Sequence, residues 1–166
     1  MKNVPAPYIW AFRLGCIEPD RNPATYLKGS FRSQWLRGHN YGNAKRYMFR
    51  ISRRLEKKEH LNVLDYYTLG KLIHYTTDAF TYAHNEEFST DLGEHMTYEA
   101  ALQNYFLEYM QAEPNGSELC ADSIAEAIRI QHRDYIRKPA DIRTDTKYAL
   151  KVCCTILALL LAPRVF

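Results

Sequence analysis

HYTTDAFTYAHNEEFSTDLGEHMTYE, from His74 to Glu99, decides how the rest of this chain is read. His74 and Asp78 stand four residues apart, His84 follows, and His95 and Glu99 repeat the four-residue step. On a helix, residues four apart share a face, so each pair can offer two ligand side chains to one cation. Imidazole nitrogen and carboxylate oxygen are donors that zinc accepts. His84 lies six residues beyond Asp78, and at roughly 3.6 residues per turn it is rotated away and would serve a neighbouring metal. Two pairs therefore suggest two metals. Either pair alone is commonly an accidental surface or capping pair. Both occur here in one short span, which also holds three of the six histidines.

Working outward, the segment upstream predicts a central helix from Asn62 to His84, with Leu64, Tyr67, Leu72, Ile73, Tyr75 and Phe80 apolar almost all round. Such a helix lies inside the protein, where a His and an Asp need partners. A metal would supply them, and so would a His74–Asp78 ion pair with tyrosine hydroxyls. Downstream, a second core helix carries His95 and Glu99 through Leu102, Tyr105, Phe106 and Tyr109, and Pro114, Asn115 and Gly116 end it. Two more helices are expected at Ser117 to Arg137 and Ile142 to Leu161. His60 and His132 sit among charged residues and are expected to be exposed.

Upstream again, an apolar piece from Tyr8 to Leu14 is expected to end at Gly15, and Pro19, Asn22 and Pro23 mark irregular backbone. Loops on a rigid scaffold often carry ligands, which makes Asp20 a candidate; a turn-forming Asp is the alternative. His39 stands between two glycines before the next helix, which Asn43 can cap and which carries Tyr47, Ile51 and Leu55 on one side. His39 alone reads as a loop histidine, and its weight comes from the pairs downstream.

With 166 residues, 46% hydrophobic and 25% charged, the chain fits one domain, residues 1–166, with a core of its own. No run alternates long enough to require a strand, so the expected class is all-α: a single-domain helical bundle with a zinc cluster between core helices. The net charge of +3 is too small to demand a nucleic-acid partner. Arg46, Arg50, Arg53, Arg54, Lys57 and Lys58 do cluster, as a solvated helix face or as an attraction for anionic surfaces. Cys16, Cys120, Cys153 and Cys154 form no C-x-x-C pair, which argues against a disulfide framework and for a reducing compartment. The opening MKNVPAPYIWAF has no apolar stretch of signal length, so the chain as it stands reads as cytoplasmic, or as secreted if its true start is missing. The apolar run from Val152 to Ala162 is shorter than a spanning helix needs and is expected to be a buried core helix, with membrane contact as the lesser option.

In this order, Asp20, His39, His74, Asp78, His84, His95 and Glu99 resemble the ligand series of the zinc-dependent phospholipase C family, whose all-helical fold is shared with the S1/P1 nucleases. The resemblance covers roughly Phe12 to Tyr109. It implies that Asp20, His39, His74 and Asp78 hold one zinc and that His84, His95 and Glu99 hold a second. In the family, the counterpart of Asp78 bridges to a third zinc, completed by the mature chain's first residue and a nearby His. Here no histidine precedes Asp20 and Met-Lys stands at the start, so that third site lacks its ligands; a truncated start is the expectation, with a two-metal relative, or an inactive one that keeps a structural metal site, as the alternatives.

The implied reaction is metal-assisted hydrolysis of a phosphate ester, with Asp20 orienting or deprotonating the water. A phospholipid or other phosphodiester is the implied substrate, with peripheral membrane contact, and Phe80, Tyr82, Phe88 and Met96 could line an apolar approach or serve as core packing. A nuclease on the same scaffold would want stacking platforms and a cationic track. A non-catalytic, metal-stabilised helical domain is the third reading. No His-Asp doublet, H-E-x-x-H motif or pair of Glu-x-x-His motifs points to other helical metalloproteins.

Overall fold

The structure, a computed structural model, describes residues 4–21, 41–84, 92–112 and 121–161. Those residues form α1 (Ala6–Arg21), α2 (Tyr41–Glu56), α3 (Val63–Ala79), a 3-10 turn (Tyr82–His84), α4 (Leu92–Ala112), α5 (Ile124–Tyr135) and α6 (Ile142–Leu161). No strand occurs among them. The all-α class is as expected.

The centre is α3, which packs against α1, α2 and α6, while α5 joins α2 to α6 and α4 lies along α6. The helical spacing of apolar residues explains the arrangement. Ala44, Met48, Ile51 and Leu55 form the inward stripe of α2, Ile124, Ala127 and Ile128 that of α5, and Ala149, Val152, Ile156 and Leu160 that of α6. They close on Leu69, Leu72 and Phe80, which are fully buried. Burial of each such side chain contributes about 1.5–3 kcal/mol.

The start of α3 is fixed by a reciprocal capping box. Asn62 accepts the Asp65 N–H through its side chain at 3.0 Å, and Asp65 accepts the Asn62 N–H at 3.0 Å. Asp65 is fully buried; burial pushes its carboxyl up, but bonds from Lys58, Asn62 and Arg54 outweigh this and hold it below its usual range. Two members of the basic run, Arg54 and Lys58, are thus committed to one carboxylate, while Arg46, Arg50, Arg53 and Lys57 form the solvated face.

Several expected boundaries move. The first helix does not end at Gly15 but continues past Pro19 to Arg21, so Asp20 stands on a helix rather than a loop. At Gly15 a Cβ would collide with the Tyr67 carbonyl oxygen, and at Gly70 with the Phe12 carbonyl oxygen. The two glycines bring the α1 and α3 backbones into contact, and Glu18 pairs with Lys71 across the same crossing at 2.6 Å. Asn43 lies within α2, which starts at Tyr41, and so does not cap it. The central helix stops at Ala79 with Phe80 as its C-cap, and His84 belongs to a separate turn.

The helix carrying His95 and Glu99 is no core helix, since none of its described side chains is fully buried and Met96, Leu107 and Met110 are exposed. Its apolar residues are spread around the helix rather than gathered into one inward stripe. The next helix begins at Ile124, where Ser123 accepts the Glu126 N–H as N-cap. Glu56 of α2 receives the Ile124 N–H at 2.6 Å, which adds a negative group at that helix start. Ile142–Leu161 is as expected, with Val152, Ile156 and Leu160 buried, and no described helix is long and apolar enough to cross a membrane.

Candidate metal centre

Three elements meet where α1 ends, α3 ends and the 3-10 turn begins. Asp20 comes from the last turn of α1, His74 and Asp78 from the last two turns of α3, and His84 from the turn; Glu99 reaches in from α4. Since α3 is continuous through both His74 and Asp78, their four-residue spacing puts them on one face, as expected.

The donors form an unbroken chain. His74 Nε2 stands 3.4 Å from Asp20 Oδ1 and 3.1 Å from Asp78 Oδ2. The other oxygen of Asp78, Oδ1, lies 3.8 Å from His84 Nε2, which is itself 3.2 Å from Glu99 Oε1. Imidazoles and carboxylates therefore alternate across the site, and Asp78 addresses both histidines through different oxygens. His74 is further held by a bond to the Cys16 backbone and by the edge of Tyr75, whose ring centre lies 5.5 Å away. Such outer contacts fix ring orientation in metal-ligating histidines.

The electrostatics follow from this alternation. Burial pulls both imidazoles down, but the Asp78 bond on His74 and the Glu99 bond on His84 outweigh it with the surrounding carboxylate charges. Both rings are held above the ordinary histidine range. A site that concentrates negative charge around two imidazoles is one in which a cation can replace the protons. Two ligands of one tetrahedral zinc stand about 3.3 Å apart, given metal–ligand bonds of about 2.0–2.1 Å. The separations of 3.1 to 3.8 Å span that value, so the donor chemistry and the pairwise spacing suit zinc. Among the described residues, however, no group of three or more His, Cys, Asp or Glu gathers around a single point that could hold a metal ion. Of the other expected ligands, His39 and the side chain of His95 lie outside the described residues.

The apolar approach expected from sequence changes. Phe80 is fully buried in the core, Tyr82 is half-buried, Met96 is 62% exposed, and Phe88 lies outside the described residues. Phe80 is core because it closes α3 against the rings of Tyr135 and Tyr148. His132, expected at the surface, is buried and stacked on Tyr41 with ring centres 3.5 Å apart. Cys16, Cys153 and Cys154 form no disulfide among the described residues, and burial pushes Cys16 up to about 11 and Cys153 up to about 12.

Sequence reading missed Asp145. Its carboxylate, fully buried, accepts from the Tyr82 N–H, Tyr98 OH and Tyr135 OH. Burial raises it above the usual carboxylate range despite those three bonds. Its position was a usable signal: Asp145 precedes Ala149, Val152 and Ile156 by four, seven and eleven residues, in phase with the buried stripe of α6.

A family model described as zinc dependent phospholipase C matches residues 6–145 of the chain. No curated protein and no solved structure matches it.

Proposed function

The chain belongs to the zinc-dependent phospholipase C family, and we propose from that premise that it hydrolyses a phosphate ester of a phospholipid at a site built on Asp20, His74, Asp78, His84 and Glu99. The supporting observation is the alternation of two imidazoles with three carboxylates, Asp78 lying 3.1 Å from one ring and 3.8 Å from the other. Asp20, His39, His74 and Asp78 would hold one zinc, and His84, His95 and Glu99 a second. Bound zinc supplies a Lewis acid that acidifies water and offsets charge on the phosphoryl oxygens.

The chain's own residues then have distinct tasks. His74 and Asp78 stand on the continuous helix α3 with side chains only 10% and 12% exposed, which suits ligands. Asp20 is 65% exposed at its side chain and can meet solvent and substrate together, which suits a group that orients a water and takes its proton. Glu99, on the outer helix, closes the far side. The nucleic-acid alternative draws less support, because Arg54 and Lys58 of the expected cationic track are engaged by Asp65.

The test combines metal content with substrate class. Elemental zinc per chain is measured on untagged protein, followed by hydrolysis of a phospholipid head group and of single-stranded DNA. Bound zinc with lipid hydrolysis is expected. In Asp20→Asn, turnover should fall about a hundredfold or more while zinc content falls less. Equal losses would make Asp20 a plain ligand, and DNA cleavage without lipid cleavage would favour the nuclease reading.

A further inference from the structure

The 3-10 turn that presents His84 is only three residues long, and among them only Ala83 is buried. So short a segment has little packing of its own to hold an imidazole in place. Glu99, its partner at 3.2 Å, comes from α4, whose described side chains are all at least partly exposed. Two weakly anchored segments must nevertheless hold their donor atoms at ligand spacing.

Asp145 joins them. Its Oδ2 accepts the backbone N–H of Tyr82 at 2.8 Å, two residues before His84, and the hydroxyl of Tyr98 at 2.7 Å, the residue before Glu99. One oxygen atom thus ties the turn to α4 immediately beside both donors. Oδ1 accepts the Tyr135 hydroxyl at 2.7 Å, and that bond leads away from the donors to α5. The carboxylate rides on the first turn of α6, where the helix N-terminus favours negative charge. A fully buried carboxylate is costly to the fold, and an apolar residue of like volume would close this space at lower cost. What an apolar residue cannot do is accept from two segments at one point.

We propose that Asp145 is a positioning residue for the metal centre, setting the distance between His84 and Glu99 through Tyr82 and Tyr98. The proposal rests on the zinc reading above, and its test separates the two. Replacing Asp145 itself endangers folding, so the phenols are changed instead. Y98F and Y135F each delete one tyrosine–Asp145 bond of equal length and keep the ring, so they form a matched pair. Zinc affinity of the full chain is measured by competition with a chromophoric chelator, beside the melting temperature of the metal-free protein. Y135F should lose at least as much melting temperature as Y98F, because it removes the one bond described at Oδ1, whereas Oδ2 keeps the Tyr82 N–H in Y98F. Zinc should bind about tenfold or more weakly to Y98F, the usual effect of removing an outer-shell partner, with less than about threefold change in Y135F. Equal zinc affinities in the two variants would overturn the proposal. An H84A chain that binds zinc as wild type does would overturn the metal reading beneath it.

Discussion

His132 is a buried histidine set among aromatic rings. Its Nε2 has no hydrogen-bond partner among the described residues, Tyr41 covers one face, and Phe80 meets it edge-on at 5.7 Å. Burial, with the Lys45 charge, pulls the ring down to about 4 from an ordinary value of 6.5. The unfolded chain therefore binds the proton more readily than the folded one. Stability from this residue is complete above pH 6.5 and is lost as pH falls towards 4, on the order of 2–4 kcal/mol in all. His132→Phe keeps the stack and removes the titration. Its melting temperature relative to wild type should rise steadily between pH 7 and pH 4.5, whereas a constant difference would show that the ring charges freely in the folded chain. The neighbours Gln131, Arg133 and Asp134 made this position look like surface, yet only one side of α5 decides burial. Local polarity misled, and the helical phase of His132 with Ile128 and Tyr135 would have corrected it. The pair His74–Asp78 was legible because fixed spacing on a helix and paired ligand chemistry are both written in the chain, whereas the approach of His84 to Glu99 joins two separate elements and was implied only by the family resemblance.

At the scale of elements, the crossing of α1 and α3 is the tightest contact to test. Alanine is a better helix former than glycine by about 1 kcal/mol, so Gly15→Ala in open space would stabilise α1. Here the added Cβ falls inside the 3.0 Å that real Cβ atoms essentially never breach, and what it meets is backbone. The helices must move apart, and a net loss of about 1–3 kcal/mol or more is expected in urea unfolding. A gain would mean that the helices have room to shift. The same crossing explains why the first helix outran its expected end. Gly15 and Pro19 are local stop signals, but tertiary contact used the glycine for close approach and carried the helix on to Asp20. The opposite error occurred at His84, where continued apolar content hid the end of α3 at Ala79. Ile142–Leu161 was legible from end to end because its buried stripe is long and regular.

For the whole molecule, a bound metal would join elements that are distant in sequence: α1, the end of α3, the 3-10 turn and α4. Metal that binds only the folded chain stabilises it by about 2.7 kcal/mol at a hundred times its dissociation constant. His74→Ala should therefore lose zinc and melt roughly 5–10 °C lower than zinc-loaded wild type. In excess chelator the two proteins should differ much less, and unchanged zinc stoichiometry in the variant would count against His74 as a ligand. Zinc also competes with protons on His74 and His84, so its hold should weaken as pH falls. The position of Asp145 has a consequence in time. Asp20, His74, Asp78, His84 and Glu99 all leave the ribosome before it, and Asp145 follows Glu99 by about 45 residues, roughly 2–9 s of synthesis. For those seconds the nascent chain carries every donor without the residue that spaces two of them. A newly made molecule should thus hold metal between His84 and Glu99 more weakly until its last described helix has docked.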